Sequence, residues 1–158
     1  MTVTEDEFRN VLGRFPSGVT VVTTVGANGK DYGITVSAFS SVSLVPPLVL
    51  ICIERTASAH EPLTTSAGFV VNILSADQEQ LARRFSIVDI DRFEGVGYSR
   101  AQNGIPILDD VVAVIECTRN TLFDGGDHTI IVGRVDTARA YGTKPLLYYR
   151  GGYSQLER

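Results

Sequence analysis

Five hydroxyl side chains within nine positions form the most unusual local feature of the sequence. They are Thr35, Ser37, Ser40, Ser41 and Ser43. Thr35 and Ser37 share one face of a predicted strand, and Ser40 and Ser41 are expected where that strand turns. Hydroxyls and free backbone N–H groups could therefore converge on an anion. A solvated strand face followed by a polar turn explains the same residues, because Ser and Thr are common in turns.

Two further clusters have the chemistry of a ligand site. Arg83 and Arg84 lie at the end of a predicted helix, where they could supply charge for a phosphate or simply complement the helix dipole. The run from Tyr148 to Tyr153, YYRGGY, combines aromatic rings, a guanidinium and two glycines. That combination suits the stacking of a planar ligand, and a packed strand end explains it equally well.

The usual catalytic signatures are missing from the sequence. It has no nucleophile elbow, no phosphate loop and no paired-cysteine zinc spacing. Its two histidines, His60 and His128, lack a metal-ligand spacing. His128 lies near Asp124 and Asp127, but a polar loop is the preferred interpretation. We therefore expect no metal site.

The elements that must position these residues are mostly strands. Thr4 and Glu7 have capping-box spacing and predict a first helix that ends at Gly13. Runs rich in β-branched residues predict strands at 19–25, 33–39, 48–53 and 69–74, then from 111, from 129 and near 146. A helical turn is expected after Ser58, and a helix from Ser75 to Phe85. Strands joined by turns, without regular alternation with helices, favour an antiparallel barrel or sandwich.

Length and charge exclude several classes. The 158 residues, 44% hydrophobic and 20% charged, predict a single globular domain spanning 1–158. A net charge of −4 gives no basic surface for nucleic acid. No apolar run approaches the roughly 20 residues of a membrane helix, and the amino end lacks signal-peptide features. We therefore expect a cytoplasmic protein. Cys52 and Cys117 lie in apolar runs, which predicts buried free thiols.

The sequence resembles the flavin reductase family, the NAD(P)H:flavin oxidoreductases that serve as reductase components of two-component flavin-dependent monooxygenases. Five stretches carry the resemblance in order: FPSGVTVVTT at Phe15, GITVSAFSSVSLVPPLVLICI at Gly33, FVVNIL at Phe69, GDHTIIVGRV at Gly126 and PLLYYRGGY at Pro145. It implies a mainly β fold, a split β-barrel with Greek-key antiparallel order and a few short peripheral helices. It also implies a homodimer that binds FMN or FAD near the subunit interface.

The resemblance also assigns roles to individual residues. The flavin-binding strand and turn correspond to Thr35, Val36, Ser37, Ser40 and Ser41. The phosphate or adenylate end corresponds to Ser58, Arg83, Arg84 and Phe85. On the nicotinamide side, the resemblance implies His128 as the catalytic candidate, with Tyr149 and Arg150 as the carboxyl-terminal contact motif.

The reaction that the resemblance implies is reduction of free FMN or FAD by NADH or NADPH, with direct hydride transfer to flavin N5. Such a transfer needs no protein nucleophile, which agrees with the missing signatures. The reduced flavin would pass, through a transient or diffusive link, to a partner monooxygenase. An alternative is a non-catalytic flavin-binding carrier or redox sensor on the same fold, which would not need the Gly126-Asp127-His128 segment. A hydrolase using His128 is a third, less favoured possibility.

Overall fold

The computed structural model describes residues 2–142 and 144–157, and strands dominate it. The strands in this part of the chain are β1 Ser17–Gly18, β2 Thr20–Val25, β3 Asp31–Val36, β4 Phe39–Ser43, β5 Leu48–Glu54, β6 Gly68–Ile73, β7 Tyr98–Arg100, β8 Pro106–Leu108, β9 Ala113–Gly125, β10 His128–Ala140, β11 Leu146–Tyr149 and β12 Gly152–Gln155. The helices are α1 Glu5–Leu12, α2 His60–Thr65 and α3 Glu79–Arg84. The prediction of a mainly β fold with a few short helices is confirmed.

Seven strands form one antiparallel sheet in the order β3-β2-β6-β9-β10-β5-β4. Its edge strands, β3 and β4, are consecutive in the chain and are joined only by Ser37 and Ala38. Two linking residues span at most about 11 Å between strand ends, so the sheet must curl until its edges approach each other. Within the described residues no ladder pairs β3 with β4. The barrel is therefore split at this position.

Strand β2 is buried on both faces because its polar side chains find partners inside the protein. Thr23 and Thr24 are fully buried. The Thr23 hydroxyl donates to the Pro106 carbonyl over 2.6 Å, and the Thr24 hydroxyl donates to the Gly68 carbonyl over 2.7 Å. Buried hydroxyls that are hydrogen-bonded avoid the cost of desolvation without a partner. Threonine can therefore serve as a β-branched strand former in the core.

The predicted helix from Ser75 to Phe85 is wrong at its beginning. The N–H of Ser75 does donate to Oε1 of Gln78 over 2.9 Å, as the spacing of these residues predicts. Ser75 also forms an isolated antiparallel bridge with Pro145. Because this bridge engages the backbone of Ser75, the residue does not start the helix, and α3 begins at Glu79.

The predicted turn at Ser40 and Ser41 is also wrong, because both residues lie within strand β4. They pair with Leu50 and Val49 of β5. The predicted strand at 33–39 is instead divided in two. Strand β3 ends at Val36, two residues link the strands, and β4 begins at Phe39. Alternation along a strand places Ser40 and Ser41 on opposite faces of the sheet.

Helix α1 has the predicted capping box and an uncovered apolar face. The N–H of Glu7 donates to Oγ1 of Thr4 over 3.2 Å, and the N–H of Thr4 donates to Oε2 of Glu7 over 2.8 Å. None of its residues is buried, and Phe8 and Val11 are 57% and 64% exposed. Grouped exposed apolar side chains of this kind usually mark an interaction surface.

A long hairpin carries the predicted nicotinamide-side histidine. Strands β9 and β10 have 13 residues each and meet at a turn containing Gly126 and Asp127. Gly126 has a φ of 76°, in the left-handed region that glycine adopts without steric cost. Beyond this turn, His128 pairs with Gly125 on one side and with Glu54 of β5 on the other. The histidine is therefore anchored in two ladders.

Candidate functional site

A cavity of about 560 Å³ opens where the two edges of the sheet meet. Its walls come from the segment 15–20, from the link and first residues of β4 at 37–40, and from β5 and β6. Most of its side chains are apolar, among them Phe15, Val19, Phe39, Leu50 and Ile73. We call it the edge cavity. Its size and lining suit a flat, largely apolar ring system.

Free backbone donors lie at the rim of the edge cavity. The exposed Ser37 and Ala38 have N–H groups that donate to no acceptor among residues 2–142 and 144–157. The end of β3 beside them is fixed, because the Thr20 hydroxyl donates to the Val36 carbonyl over 2.6 Å. Ser40 also lines the cavity, and its hydroxyl donates to the carbonyl of Ser41 over 2.9 Å. A ligand with acceptor atoms along one edge would find preorganised donors here.

A second cavity of about 200 Å³ adjoins the edge cavity, since Val19 and Ser37 line both. It is also lined by Tyr148 and Tyr153, whose rings pack edge-to-face with centroids 5.4 Å apart. Burial raises the pKa of the Tyr153 hydroxyl above its ordinary value. The guanidinium of Arg83 lies 5.0 Å from the centre of the Tyr153 ring, within reach of a cation–π interaction.

A third cavity of about 520 Å³ continues the same path, because Thr35 and Ser86 line both it and the second cavity. Ser58 and Glu54 lie further along it. The second and third cavities form a continuous depression along the outer edge of β3, which we call the β3 groove. Hydroxyl groups of Thr35, Ser58 and Ser86 follow its length.

Helix α3 holds the outer edge of β3 through Thr35. The N–H of Thr35 donates to the Phe85 carbonyl over 3.2 Å, and its hydroxyl donates to the Ala82 carbonyl over 2.6 Å. Phe85 is fully buried and Val36 is 5% exposed. Both predicted binding residues therefore belong to the core. The N–H of Phe85 donates to the Leu81 carbonyl and its own carbonyl accepts from Thr35, so Phe85 supports the edge of β3 from inside the protein.

The two predicted arginines have different surroundings. Arg83 forms an ion pair with Glu79 over 2.7 Å and reaches the β3 groove through Tyr153. Arg84 instead donates to the carbonyls of Asp91 and Arg92 over 2.7 and 2.8 Å. Arg84 thus holds the loop at 91–92, and the structure does not bring it together with Arg83.

His128 is accessible and has a carboxylate partner. Its side chain is 40% exposed, and Nδ1 lies 2.7 Å from Oδ1 of Asp127. The hydrogen bond with His128 is the main cause that lowers the pKa of the Asp127 carboxyl below its ordinary value. Glu54, the β5 partner of His128, lines the third cavity. Through Glu54 the histidine therefore neighbours the far end of the β3 groove, although it lines none of these three cavities.

Tyr149 and Arg150 lie on a different part of the surface from His128. Tyr149 is the last residue of β11, and Arg150 begins the turn to β12, where its N–H donates to the Gly13 carbonyl over 2.9 Å. The neighbouring Tyr148 and Tyr153 are the residues of this hairpin that line the β3 groove. Within one chain, the structure does not bring Tyr149 and Arg150 together with His128.

Several lining residues were not predicted from the sequence. Phe15 and its neighbours in the edge cavity belong to the FPSGVTVVTT stretch, which signalled the family but gave no indication of which residues face a ligand. Cys52 was predicted to be buried, yet it is half-buried and lines the edge cavity, whereas Cys117 is buried as predicted. Ser86 lies next to a predicted cluster, and only the folded edge of β3 identifies it, whereas Tyr148 and Tyr153 belong to the YYRGGY run, whose composition suits the stacking of a planar ligand.

The described residues include neither a membrane-spanning helix nor a metal-binding cluster. None of the helices in residues 2–142 and 144–157 is long and apolar enough to span a membrane. Across the same residues, no three His, Cys, Asp or Glu side chains are grouped closely enough to hold a metal ion.

Comparison with known proteins identifies the class to which this fold and site belong. A family model, the flavin reductase like domain, matches residues 12–157. The chain therefore belongs to the flavin reductase family, as the sequence resemblance predicted.

Individual relatives agree with this assignment. A stachydrine N-demethylase reductase subunit from Rhizobium meliloti is 41% identical over 145 residues, covering 92% of this chain and 63% of that protein. A flavin reductase from Pseudomonas putida is 40% identical over 147 residues, covering 92% of this chain and 86% of that protein. A solved structure of a Streptomyces globisporus NADH:FAD oxidoreductase with NAD and FAD fragments is 37% identical, with a TM-score of 0.91 over 99% of this chain and 98% of that one. The chain spans under two thirds of the Rhizobium meliloti subunit. The predicted split-barrel architecture is confirmed.

The residues of the site fit a flavin. The edge cavity offers apolar walls for the faces of an isoalloxazine ring, and Ser37 and Ala38, whose N–H groups have no acceptor among the described residues, line it and could serve a polar ring edge. The hydroxyl of Ser58 lies along the β3 groove, where a ribityl chain and phosphate need donors, whereas the Ser86 hydroxyl donates to the Ala82 carbonyl over 3.1 Å and can offer its oxygen as an acceptor.

Proposed function

We propose that this chain is an NAD(P)H:flavin oxidoreductase that reduces FMN or FAD and releases the reduced flavin. The observation that carries the proposal is the continuity of the edge cavity with the β3 groove, along a strand edge with free N–H donors, in a chain of the flavin reductase family. A bound flavin would supply the electron acceptor, at N5, for a hydride from the nicotinamide.

The protein contributes binding and orientation. The N–H groups of Ser37 and Ala38 hold the polar edge of the ring, and the apolar lining of the edge cavity excludes water from its faces. Ser40 lies beside the ring, while Ser41 lies on the other face of β4. Ser58 and Arg83 are placed for the phosphate end. These donors are mostly neutral, which suits a site that a more negative, reduced ligand must leave.

His128 is proposed to orient the nicotinamide. Asp127 accepts a hydrogen bond from Nδ1, so Nε2 is the ring nitrogen left to face a ligand. An oriented histidine beside the β3 groove also favours the enzyme over the alternative of a non-catalytic flavin carrier, because a carrier does not need one.

We further propose that two copies form a homodimer. The support is the uncovered apolar face of α1 and the exposure of Phe15, which is 80% exposed although it lines the edge cavity. A second copy could cover these residues. A partner chain could also bring Tyr149 and Arg150 toward a His128 that they do not approach within one chain. Light scattering of the purified protein measures its molar mass and tests this point.

The downstream partner is proposed to be a flavin-dependent monooxygenase. The support is the Rhizobium meliloti relative, which is a reductase subunit. Nothing in the described surface requires a tight complex, so a diffusive transfer of reduced flavin is sufficient.

The decisive experiment is anaerobic titration of the protein with FMN or FAD, followed by NADH or NADPH, with absorbance monitored. We expect the absorbance of oxidised flavin to disappear. Flavin that stays oxidised with both NADH and NADPH would exclude the enzyme and favour the carrier.

The His128→Ala variant is expected to raise the nicotinamide KM by about tenfold, which corresponds to a loss of about 1.4 kcal/mol of binding free energy, while the flavin Kd changes little. His60→Gln is the matched control, because His60 bonds Thr129 instead. Equal losses of nicotinamide and flavin binding in His128→Ala would contradict the assigned role.

A further inference from the structure

We propose that Arg55 is a positioning residue that fixes the turn between β9 and β10 and, through this turn, the ring of His128. The inference rests on the nicotinamide-side role proposed for His128 above. Arg55 directly follows β5, whose last residue, Glu54, pairs with His128. It is therefore next to the histidine in the fold although it is 73 positions earlier in the sequence.

Arg55 binds both residues of the turn and one residue of β9 just before it. Its backbone N–H donates to the Asp127 carbonyl over 2.9 Å. Its side-chain Nε donates to the Gly126 carbonyl over 2.9 Å, and its Nη2 forms an ion pair with Asp124. Arg55 thus contacts Gly126 itself and the chain on both sides of it, at Asp124 and at Asp127.

The turn needs such an anchor because Gly126 follows another glycine, Gly125, the last residue of β9. Glycine loses more conformational freedom on folding than any other residue, so ordering two adjacent glycines has a high entropic cost that the contacts from Arg55 offset in part. The position of Asp127 fixes the ring of His128, because its carboxylate accepts the hydrogen bond from Nδ1. By holding the backbone of Gly126 and Asp127, Arg55 therefore also fixes the position of the histidine ring.

A second arginine provides a matched control. Arg100 pairs with both carboxylate oxygens of Asp31 over 2.8 Å and donates to the Gly104 carbonyl over 2.8 Å. Like Gly126, Gly104 has a positive φ, of 85°. Arg100 thus makes the same kinds of contact as Arg55, but at a turn that does not contain His128. Partly exposed ion pairs contribute little to stability, so both alanine variants should fold.

The test compares Arg55→Ala, Arg55→Lys and Arg100→Ala. We expect Arg55→Ala to raise the nicotinamide KM by about 10-fold or more, because a small displacement of a positioning group has effects of this size. The flavin Kd should change by less than about twofold, and Arg100→Ala should change neither value. Arg55→Lys keeps the charge but lacks the fork that reaches both partners, so it should restore the KM only in part.

A double-mutant cycle separates positioning from direct binding. In a His128→Ala background, Arg55→Ala should raise the nicotinamide KM no further, because its effect passes through the histidine. Additive effects would overturn the proposal, and so would an unchanged KM in Arg55→Ala when His128→Ala itself raises it.

Hydrogen–deuterium exchange of the flavin-free protein gives a readout that does not depend on activity. The segment 124–128 should exchange faster in Arg55→Ala than in wild type or in Arg100→Ala. Unchanged exchange would overturn the proposal. If wild-type protein failed to oxidise NADH or NADPH with either flavin, the proposed function would be wrong, and this exchange measurement would still decide whether Arg55 fixes the turn.

Discussion

Gly33 is the position where a single added methyl group tests how the flavin-binding edge is supported. A Cβ at this buried residue of β3 would lie 2.5 Å from Cε1 and 2.8 Å from Cδ1 of Phe85. Phe85 cannot easily withdraw, because it is fully buried and packs edge-to-face against Phe93 with ring centroids 5.1 Å apart. The Gly33→Ala variant must therefore displace the ring of Phe85, or β3 itself.

The size of the effect follows from two opposing contributions. Overpacking of a core costs about 1–3 kcal/mol. Replacing glycine by alanine restricts the unfolded chain and returns about 0.4–1 kcal/mol. The expected net loss for Gly33→Ala is about 1–2 kcal/mol, which corresponds to a fall in Tm of about 3–6 °C for a chain of this length.

Urea unfolding at 25 °C measures this loss, with Gly152→Ala as the control. The nearest atom to a Cβ at Gly152 is the Tyr149 carbonyl oxygen at 3.8 Å, an ordinary contact, so this variant should be as stable as wild type or slightly more stable. Because the Phe85 carbonyl holds the N–H of Thr35, Gly33→Ala should also weaken flavin binding. A Gly33→Ala protein with wild-type stability and flavin affinity would refute the rigid support of β3 by α3.

Two further predictions concern the cysteines. The thiolate is the species that iodoacetamide alkylates, and burial raises the pKa of the Cys52 thiol, so the rate should still be rising with pH above 9.0, the ordinary pKa of a thiol. Saturating flavin should slow the reaction, because Cys52 lines the edge cavity. Peptide mass spectrometry measures the rate, and equal rates with and without flavin would place the ring elsewhere. Burial raises the pKa of Cys117 from 9.0 to about 12, so its neutral thiol favours the folded state fully below pH 9.0 and progressively less up to about pH 12. The stability advantage of wild type over Cys117→Ala, measured by urea unfolding, should therefore shrink by about 1.4 kcal/mol per pH unit above 9, and a constant advantage would contradict this.

The long strands could be predicted from the sequence because their signal is local. VTVVTTV and LVLICI are runs of β-branched and aliphatic residues that suit an extended backbone in any antiparallel arrangement. The beginning of α3 could not be predicted, because the bridge between Ser75 and Pro145 joins residues that are 70 positions apart. Strand β4 was missed for a similar reason, since Ser40 and Ser41 are extended only because β5 pairs with them.

The site could be predicted only as a set of segments. The stretch 35–41 was correctly marked as unusual, but its sequence does not reveal that Val36 faces the core and Ser40 the edge cavity. The residues that complete the groove, such as Ser86, have ordinary side chains, and their importance depends on their position against β3. Pairing of Tyr148 rather than Tyr149 with Tyr153 is fixed by the register of the β11–β12 hairpin.

The split in the barrel explains why this fold can bind a ring with so few charged groups. An edge strand exposes N–H groups that would be paired within a closed barrel, and proteins normally protect such edges. Here α3 covers part of the β3 edge through Thr35, and the carboxyl-terminal hairpin brings Tyr148 and Tyr153 alongside it. The short segment at Ser37 and Ala38 keeps its donors free because the chain crosses there from one edge of the sheet to the other. The topology that leaves the barrel open therefore also leaves the N–H groups of Ser37 and Ala38 without a partner in the described chain. A ligand with acceptor atoms along one flat edge can accept these hydrogen bonds.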